Sequence, residues 1–133
     1  MILVVDSGST KTDWIAVDNA GKILFSTQTL GLNPQVLSSE ILKERIVNNF
    51  DLYQNRDNVT NLYFYGAGCG VKSPQLRIRK VFEEIFTNCE IIIKEDTYAA
   101  VYATSKLNEK SIICILGTGS NCTYFDGKEI DQR

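Results

Sequence analysis

The first thirteen residues, Met1-Ile2-Leu3-Val4-Val5-Asp6-Ser7-Gly8-Ser9-Thr10-Lys11-Thr12-Asp13, constrain the fold more than any other stretch. Five apolar residues, two Val and one Ile among them, run straight into a carboxylate and then into a turn of small, hydroxyl-bearing residues. That order reads as a buried strand delivering Asp6 to a loop. The loop offers closely spaced backbone N–H groups, several hydroxyls and the ammonium of Lys11, a set able to hold an anion; the same residues would also serve an ordinary hairpin turn. A second unit of this kind recurs late in the chain. There Ser111-Ile112-Ile113-Cys114-Ile115-Leu116 ends in Gly117-Thr118-Gly119-Ser120-Asn121, and Cys122-Thr123-Tyr124-Phe125 leads to the turn Asp126-Gly127-Lys128.

Between the two units, strands and helices alternate. Trp14–Asp18 resumes an apolar strand, Asn19–Lys22 makes a turn, and Ile23–Thr29 completes a three-stranded antiparallel meander. Gly31-Leu32-Asn33-Pro34 then breaks the pattern, and Pro34 holds Asn33 in extended geometry on a loop directly after a strand. The spacing of Leu42, Ile46, Phe50 and Tyr53 predicts one helix from about Ser38, with Ser38 or Ser39 as its N-cap, ending before the polar run 54–58. Leu62-Tyr63-Phe64-Tyr65 is a strand discharging into Gly66-Ala67-Gly68-Cys69-Gly70, where missing side chains would permit close approach. Its aromatics alternate and suit a core better than a stacking platform.

A second helix opens with Ser73 as N-cap and Pro74 at its first position, its apolar side being Leu76, Ile78, Val81, Phe82, Ile85 and Phe86. Glu90–Lys94 is the next strand. Glu95-Asp96-Thr97 starts a third helix running through Ala103 and closed by Asn108-Glu109-Lys110. The resulting order, β-β-β-α-β-α-β-α, implies an α/β fold: a mixed sheet flanked by helices, parallel in its later half. The expected division is a lobe over residues 1–110 and the first hairpin of a second, incomplete lobe over 111–133, because an isolated two-stranded ribbon is marginal in water. On this reading the chain is a fragment, or its continuation forms the second lobe.

Composition excludes several classes. With 133 residues, 44% hydrophobic and 23% charged, the chain can build one core and has little support for disorder. A formal charge of −2 argues against nucleic-acid or membrane-surface binding, and the basic group Lys72, Arg77, Arg79 and Lys80, mixed with Glu83 and Glu84, reads as a solvated helix face. The four cysteines, Cys69, Cys89, Cys114 and Cys122, have no metal-ligand spacing, and there is no His to complete a site. They read as small buried hydrophobes in a reducing compartment. No stretch has transmembrane length and no signal peptide is evident, so a cytoplasmic location is the expectation.

Four segments in order, Asp6 to Trp14, Gly31 to Pro34, Glu95-Asp96-Thr97 with Ala99-Ala100, and Gly117 to Asn121, make the chain resemble the nucleotide-binding superfamily of actin, heat-shock chaperone ATPases and sugar kinases, with its ribonuclease H-like fold. Within it the resemblance is to N-acetylglucosamine kinases and the related BadF/BadG activator-type ATPases, and covers only their N-terminal half. A Rossmann site is disfavoured, since Gly8 belongs to no G-x-G-x-x-G and a hairpin follows it.

The resemblance implies ATP and Mg²⁺ as cofactors and a small sugar as substrate, most like N-acetylglucosamine phosphorylated at a primary hydroxyl. It implies Asp6 near the metal; Gly8, Ser9, Thr10 and Lys11 in a first phosphate loop; and Gly117, Thr118 and Gly119 in a second. Asp96 becomes the candidate general base, and a helix N-cap role is compatible with it because the helix dipole keeps the carboxylate ionised. Glu95 competes, but strand alternation sends it to the opposite face. Asn33, Thr118 and Asn121 are candidates to meet sugar hydroxyls, and Gly68-Cys69-Gly70 to line the pocket.

The alternatives are an activator-type ATPase coupled to a dehydratase or reductase, and a non-catalytic sugar- or nucleotide-binding regulatory lobe. Residues for adenine are expected beyond Arg133, which would leave the 133-residue chain inactive alone; the full-length protein is compatible with a homodimer.

Overall fold

The computed structural model describes residues 1–104, 111–116, 120–125, 127 and 129–132. The chain forms two compact units, Met1–Asp96 and Thr97–Arg133. The first unit contains β1 (Ile2–Ser7), β2 (Lys11–Val17), β3 (Ile23–Leu30), α1 (Ser39–Val47), α2 (Phe50–Gln54), β4 (Asn61–Gly66), α3 (Lys72–Ile85) and β5 (Glu90–Glu95). Its five strands form one sheet in the order β3-β2-β1-β4-β5. The meander β1-β2-β3 is antiparallel, while β1, β4 and β5 run parallel. This is the mixed sheet that the alternation of segments predicts.

The period of two along each strand divides the sheet into unlike faces. Leu3, Val5, Trp14, Ala16, Leu62 and Phe64 are fully buried in a core shared with Leu42 and Ile46 of α1 and with Ile78 and Phe82 of α3. Phe82 is its hub, edge-on to Trp14 at 6.5 Å and tilted against Phe64 at 5.0 Å. The indole N–H of Trp14 donates to Thr29 Oγ1 at 3.0 Å, so the one polar atom of that buried ring has a partner. Val4, Asp6 and Ile15 lie on the opposite face and remain exposed.

Three helical expectations need correction. The predicted single helix from Ser38 to Tyr53 is two helices. Ser38 does cap α1, accepting the N–H of Ile41 at 3.3 Å, but Asn49 caps α2 by accepting the N–H of Leu52 at 3.1 Å. That local hydrogen bond competes with helix continuation, and the break turns Phe50 (75% exposed) outward while Leu52 enters the core. In α3, Val71 occupies the N-cap without a side-chain bond, so Ser73 and Pro74 sit inside the first turn, where the missing N–H of Pro is still tolerated. Leu76, placed on the apolar side by its spacing, is exposed.

The second unit contains α4 (Thr97–Thr104), β6 (Ser111–Leu116), β7 (Ser120–Phe125) and β8 (Ile130–Gln132). The last three form an antiparallel sheet in sequence order. The third strand, β8, which the hydrophobic pattern did not reveal, supports the ribbon expected from residues 111–125. No helix among the described residues is long and apolar enough to cross a membrane.

Candidate functional site

Parallel pairing sets β1, β4 and β5 in register so that their carboxyl ends coincide: Ser7 pairs with Gly66, and Gly66 with Glu95. In a parallel sheet, the loops that leave such ends gather on one edge, where a ligand can sit against several of them. Here the edge brings together Asp6, the loop 66–70 and Asp96. The N–H of Ala67 donates to Ser7 O at 2.8 Å, and the N–H of Asp96 to Gly66 O at 3.2 Å, so the backbone on either side of Gly66 is tied to both neighbouring strands.

Asp6 keeps a solvent-accessible face, yet its carboxyl is held above the ordinary 3.8. Partial burial is the largest cause, followed by the negative charges of Asp96 and then of Asp13, which is paired with it across β2; Lys11 opposes them weakly. The carboxylates therefore share one electrostatic neighbourhood that favours a cation or a proton. Among the described residues no three His, Cys, Asp or Glu form a metal cage. The arrangement still fits Mg²⁺, which keeps most of its water and takes one or two carboxylates along with phosphate oxygens.

The turn at residues 8–10 is closed by Gly8 N–H donating to Lys11 O at 2.9 Å, which leaves Ser9 and Thr10 exposed at its tip. Lys11 begins β2 instead of lying in the loop, and its ammonium is 3.7 Å from the Asp13 carboxylate on a well-solvated surface. Ser7, read from the sequence as one of the hydroxyls open to an anion, is fully buried. Its Oγ accepts the N–H of Leu32 at 3.1 Å and lies 2.9 Å from Thr12 Oγ1, which donates to Leu30 O at 3.0 Å. Since the single proton of Thr12 is committed to Leu30 O, Ser7 donates to Thr12, and the four groups form a one-way relay. The relay fastens the first hairpin to the loop 31–34.

That loop meets the hairpin a second time. Gly31 N–H donates to Thr10 O at 2.9 Å, and a Cβ on Gly31 would stand 2.5 Å from Ser9 O, so the contact tolerates only glycine. Asn33 is half-buried; its Oδ1 accepts the N–H of Gln35 at 2.9 Å and occupies the space where a Cβ on Gly68 would be. Gly68 has φ of +80°, which glycine adopts without strain. The amide nitrogen of Asn33 has no partner among the described residues, and because its oxygen is already an acceptor, the nitrogen is the end available to a ligand.

The rest of the loop 66–70 is also packed. Cys69 is buried, and its thiol is pushed up to about 12, first by burial and then by the charges of Asp96 and Glu95. The carboxylate of Glu95 lies against Gly70, at 3.0 Å from where a Cβ would be. Asp96 is half-buried and directly precedes α4. The next residue, Thr97, opens the second unit and is buried, its hydroxyl unpartnered among the described residues.

Asp6, Gly8, Ser9, Thr10, Lys11, Asn33 and Asp96 thus belong to one contiguous network of the first unit. Gly117, Thr118 and Gly119 lie outside the described residues, and Asn121 is described only as backbone of β7. The sequence reading missed Ser7 and Thr12 as structural groups, although their placement at strand positions facing the core could have marked them. It also treated Arg77 and Arg79 as solvated; their guanidinium groups donate to Pro34 O at 2.5 Å and Ile91 O at 2.9 Å.

No family model and no curated protein matches the chain. Solved structures do. A protein described as an N-acetylglucosamine kinase from Porphyromonas gingivalis is 33% identical, with a TM-score of 0.82 over 99% of this chain and 47% of its own. The inorganic polyphosphate/ATP-glucomannokinase of Arthrobacter sp. strain KM is 20% identical, with a TM-score of 0.62 over 99% of this chain and 60% of its own. A protein described as a sugar kinase from Cytophaga hutchinsonii is 19% identical, with a TM-score of 0.60 over 98% of this chain and 49% of its own. The chain spans about half the length of these structures. Its fold is the ribonuclease H-like fold of actin-like ATPases, and its structural neighbours are sugar kinases.

Proposed function

We propose that this chain is the N-terminal lobe, with the start of a second, of an ATP-dependent kinase that phosphorylates an amino sugar, N-acetylglucosamine being the first candidate. The observation that carries the reading is the gathering of Asp6, the loop 66–70 and Asp96 at the shared carboxyl edge of β1, β4 and β5, where partial burial first and the charge of Asp96 second raise the proton affinity of Asp6. Two carboxylates kept close and partly desolvated suit a division of labour in which one faces a cation and the other takes a proton. The 33% identity to a protein described as an N-acetylglucosamine kinase supports the choice of substrate class.

Bound ATP would supply the phosphoryl group, and Mg²⁺ would neutralise charge on its phosphates. Asp6 is assigned to the hydrated metal, relieving the repulsion that raises its own proton affinity. Ser9, Thr10 and the N–H groups of the exposed turn are assigned to phosphate oxygens, with Lys11 adding charge and Gly8 allowing close backbone approach. Gly117, Thr118 and Gly119 are assigned to the facing phosphate loop by their resemblance to it. Asn33 donates its amide N–H to a sugar hydroxyl, and Asn121 and Thr118 are candidates for others. Asp96 would accept the proton of the primary hydroxyl as that oxygen bonds to the terminal phosphorus of ATP and the bond to the leaving ADP breaks. Positioning and charge neutralisation are most of what such a transfer demands.

The test is ADP release by the polypeptide carrying this chain, with N-acetylglucosamine, with glucose and without sugar. Release that depends on N-acetylglucosamine supports the reading. Sugar-independent release would favour an activator-type ATPase, and sugar binding without ADP release a regulatory lobe; either would overturn it.

A further inference from the structure

The loop 31–34 has left β3 and has not reached α1, so no sheet or helix ladder satisfies its backbone, although Gly31, Leu32 and Pro34 are buried. Buried carbonyls in such a position need partners. Leu30 O takes the Thr12 hydroxyl, and Asn33 O takes the N–H groups of Val36 and Leu37 at 3.3 and 3.1 Å. Of the other three, Gly31 O and Pro34 O are met by guanidinium groups from different helices. Arg45 of α1 donates to Gly31 O at 2.5 Å, and Arg77 of α3 donates to Pro34 O at 2.5 Å. The two acceptors bracket Leu32 and Asn33, so the residue whose amide nitrogen has no partner among the described residues is held from both sides.

We propose that Arg45 and Arg77 are positioning residues for sugar recognition, forming a two-point clamp that fixes the direction in which Asn33 presents its N–H. The proposal rests on the sugar-kinase reading. A guanidinium suits the task because its planar fork is pre-organised, and its charge strengthens a hydrogen bond to a carbonyl. Arg45 borders an open cleft of about 480 Å³ between β3 and α1, and Arg77 one of about 520 Å³ along α3, so solvent lies beside each arginine. What water cannot do is hold the loop to the two helices. Removing either arginine therefore loosens the backbone on one side of Asn33, whose side chain keeps its bond from Gln35 N–H and its packing on Gly68.

The experiment compares Arg45→Met, Arg77→Met and the corresponding Lys variants, in the polypeptide carrying this chain, by steady-state kinetics with N-acetylglucosamine and ATP varied separately. Each Met variant should raise the sugar KM roughly tenfold, the weight of one hydrogen bond to a charged group, with the ATP KM and the melting temperature close to wild type. Lys should recover much of the loss, since it keeps a charged donor. Hydrogen exchange at the Leu32 and Gln35 amides should quicken in the Met variants even without sugar. An unchanged sugar KM in both Met variants would overturn the clamp, as would sugar and ATP KM rising together with a fallen melting temperature, which marks a merely structural role. Failure of the kinase reading is separately visible: wild type would then show no sugar-dependent turnover, and the clamp's role would fall with it.

Discussion

The side-chain oxygen of Asn33 fills the space that a Cβ on Gly68 would need. Two loops that are distant in sequence thus fit together only because residue 68 has no side chain, and its φ of +80° adds a second reason for glycine. Gly68→Ala should cost about 1 kcal/mol for the left-handed backbone and more for the collision. The collision falls on Asn33, so sugar affinity should drop further than stability accounts for. Urea denaturation together with sugar titration checks this, and a variant of wild-type stability and affinity would show that the contact is not maintained in solution.

Asp6 carries a cost that a ligand would relieve. Its folded proton affinity is raised above the ordinary 3.8, so the stability linked to its protonated form is fully present below that value and is lost as pH rises through the folded pKa. At neutral pH the ionised carboxylate weakens the fold. Asp6→Asn should therefore melt higher than wild type at about pH 7, the difference closing at about pH 3, while transfer is lost. Equal melting temperatures at neutral pH would mean that the charge is not strained.

Much of the fold was legible because the signals were periodic. Strands alternating every second residue, and Ile78, Val81, Phe82 and Ile85 at helical spacing, needed no tertiary information. The break at Asn49 was not legible, since Asn at that place serves equally as a helix residue or a cap, and only the burial of Leu52 over Phe50 decides between them. Of the candidate site, Asp6 stood out at the end of a strand, whereas Asn33, on the loop after β3, and Asp96, just before α4, were marked chiefly by the family resemblance. What held them did not stand out. Ser7 looks like any turn serine until Leu32 arrives from 25 residues away, and Arg77 like any surface arginine until Pro34 does.

The relay from Leu32 N–H through Ser7 and Thr12 to Leu30 O should behave as a unit. Ser7→Ala leaves the buried Leu32 N–H without its acceptor, at about 1–3 kcal/mol, and Thr12→Val removes the acceptor of Ser7 and one of the two hydroxyl donors to Leu30 O, Thr29 Oγ1 remaining at 3.1 Å, at a smaller cost. Because the hydroxyls polarise one another, the double variant should lose less than the sum of the two. A double-mutant cycle by chemical denaturation gives the coupling directly, and strict additivity would contradict the relay.

Cys69 should be chemically silent despite lying beside the candidate base. A rise from the ordinary 9.0 to about 12 lowers its thiolate fraction at neutral pH roughly a thousandfold, and burial blocks the reagent as well. Site-resolved alkylation followed by mass spectrometry should find Cys69 unmodified in the native protein and labelled after denaturation. Rapid native labelling would show that the loop 66–70 opens.

In the proposed mechanism Asp96 is the general base. Its backbone N–H is fixed to Gly66 O, an anchor that follows from the parallel pairing of β4 and β5. Asp96→Asn keeps the size and the backbone anchor but removes the basic oxygen. The turnover number should fall by about 10²–10⁴-fold, the range for loss of a general base, while sugar affinity changes little. Loss of charge at residue 96 also removes one cause of the raised proton affinity of Asp6, whose titration should move down toward 3.8. Turnover near wild type would remove Asp96 as the base, and an unmoved Asp6 titration, followed by NMR, would show that the two carboxylates are not coupled.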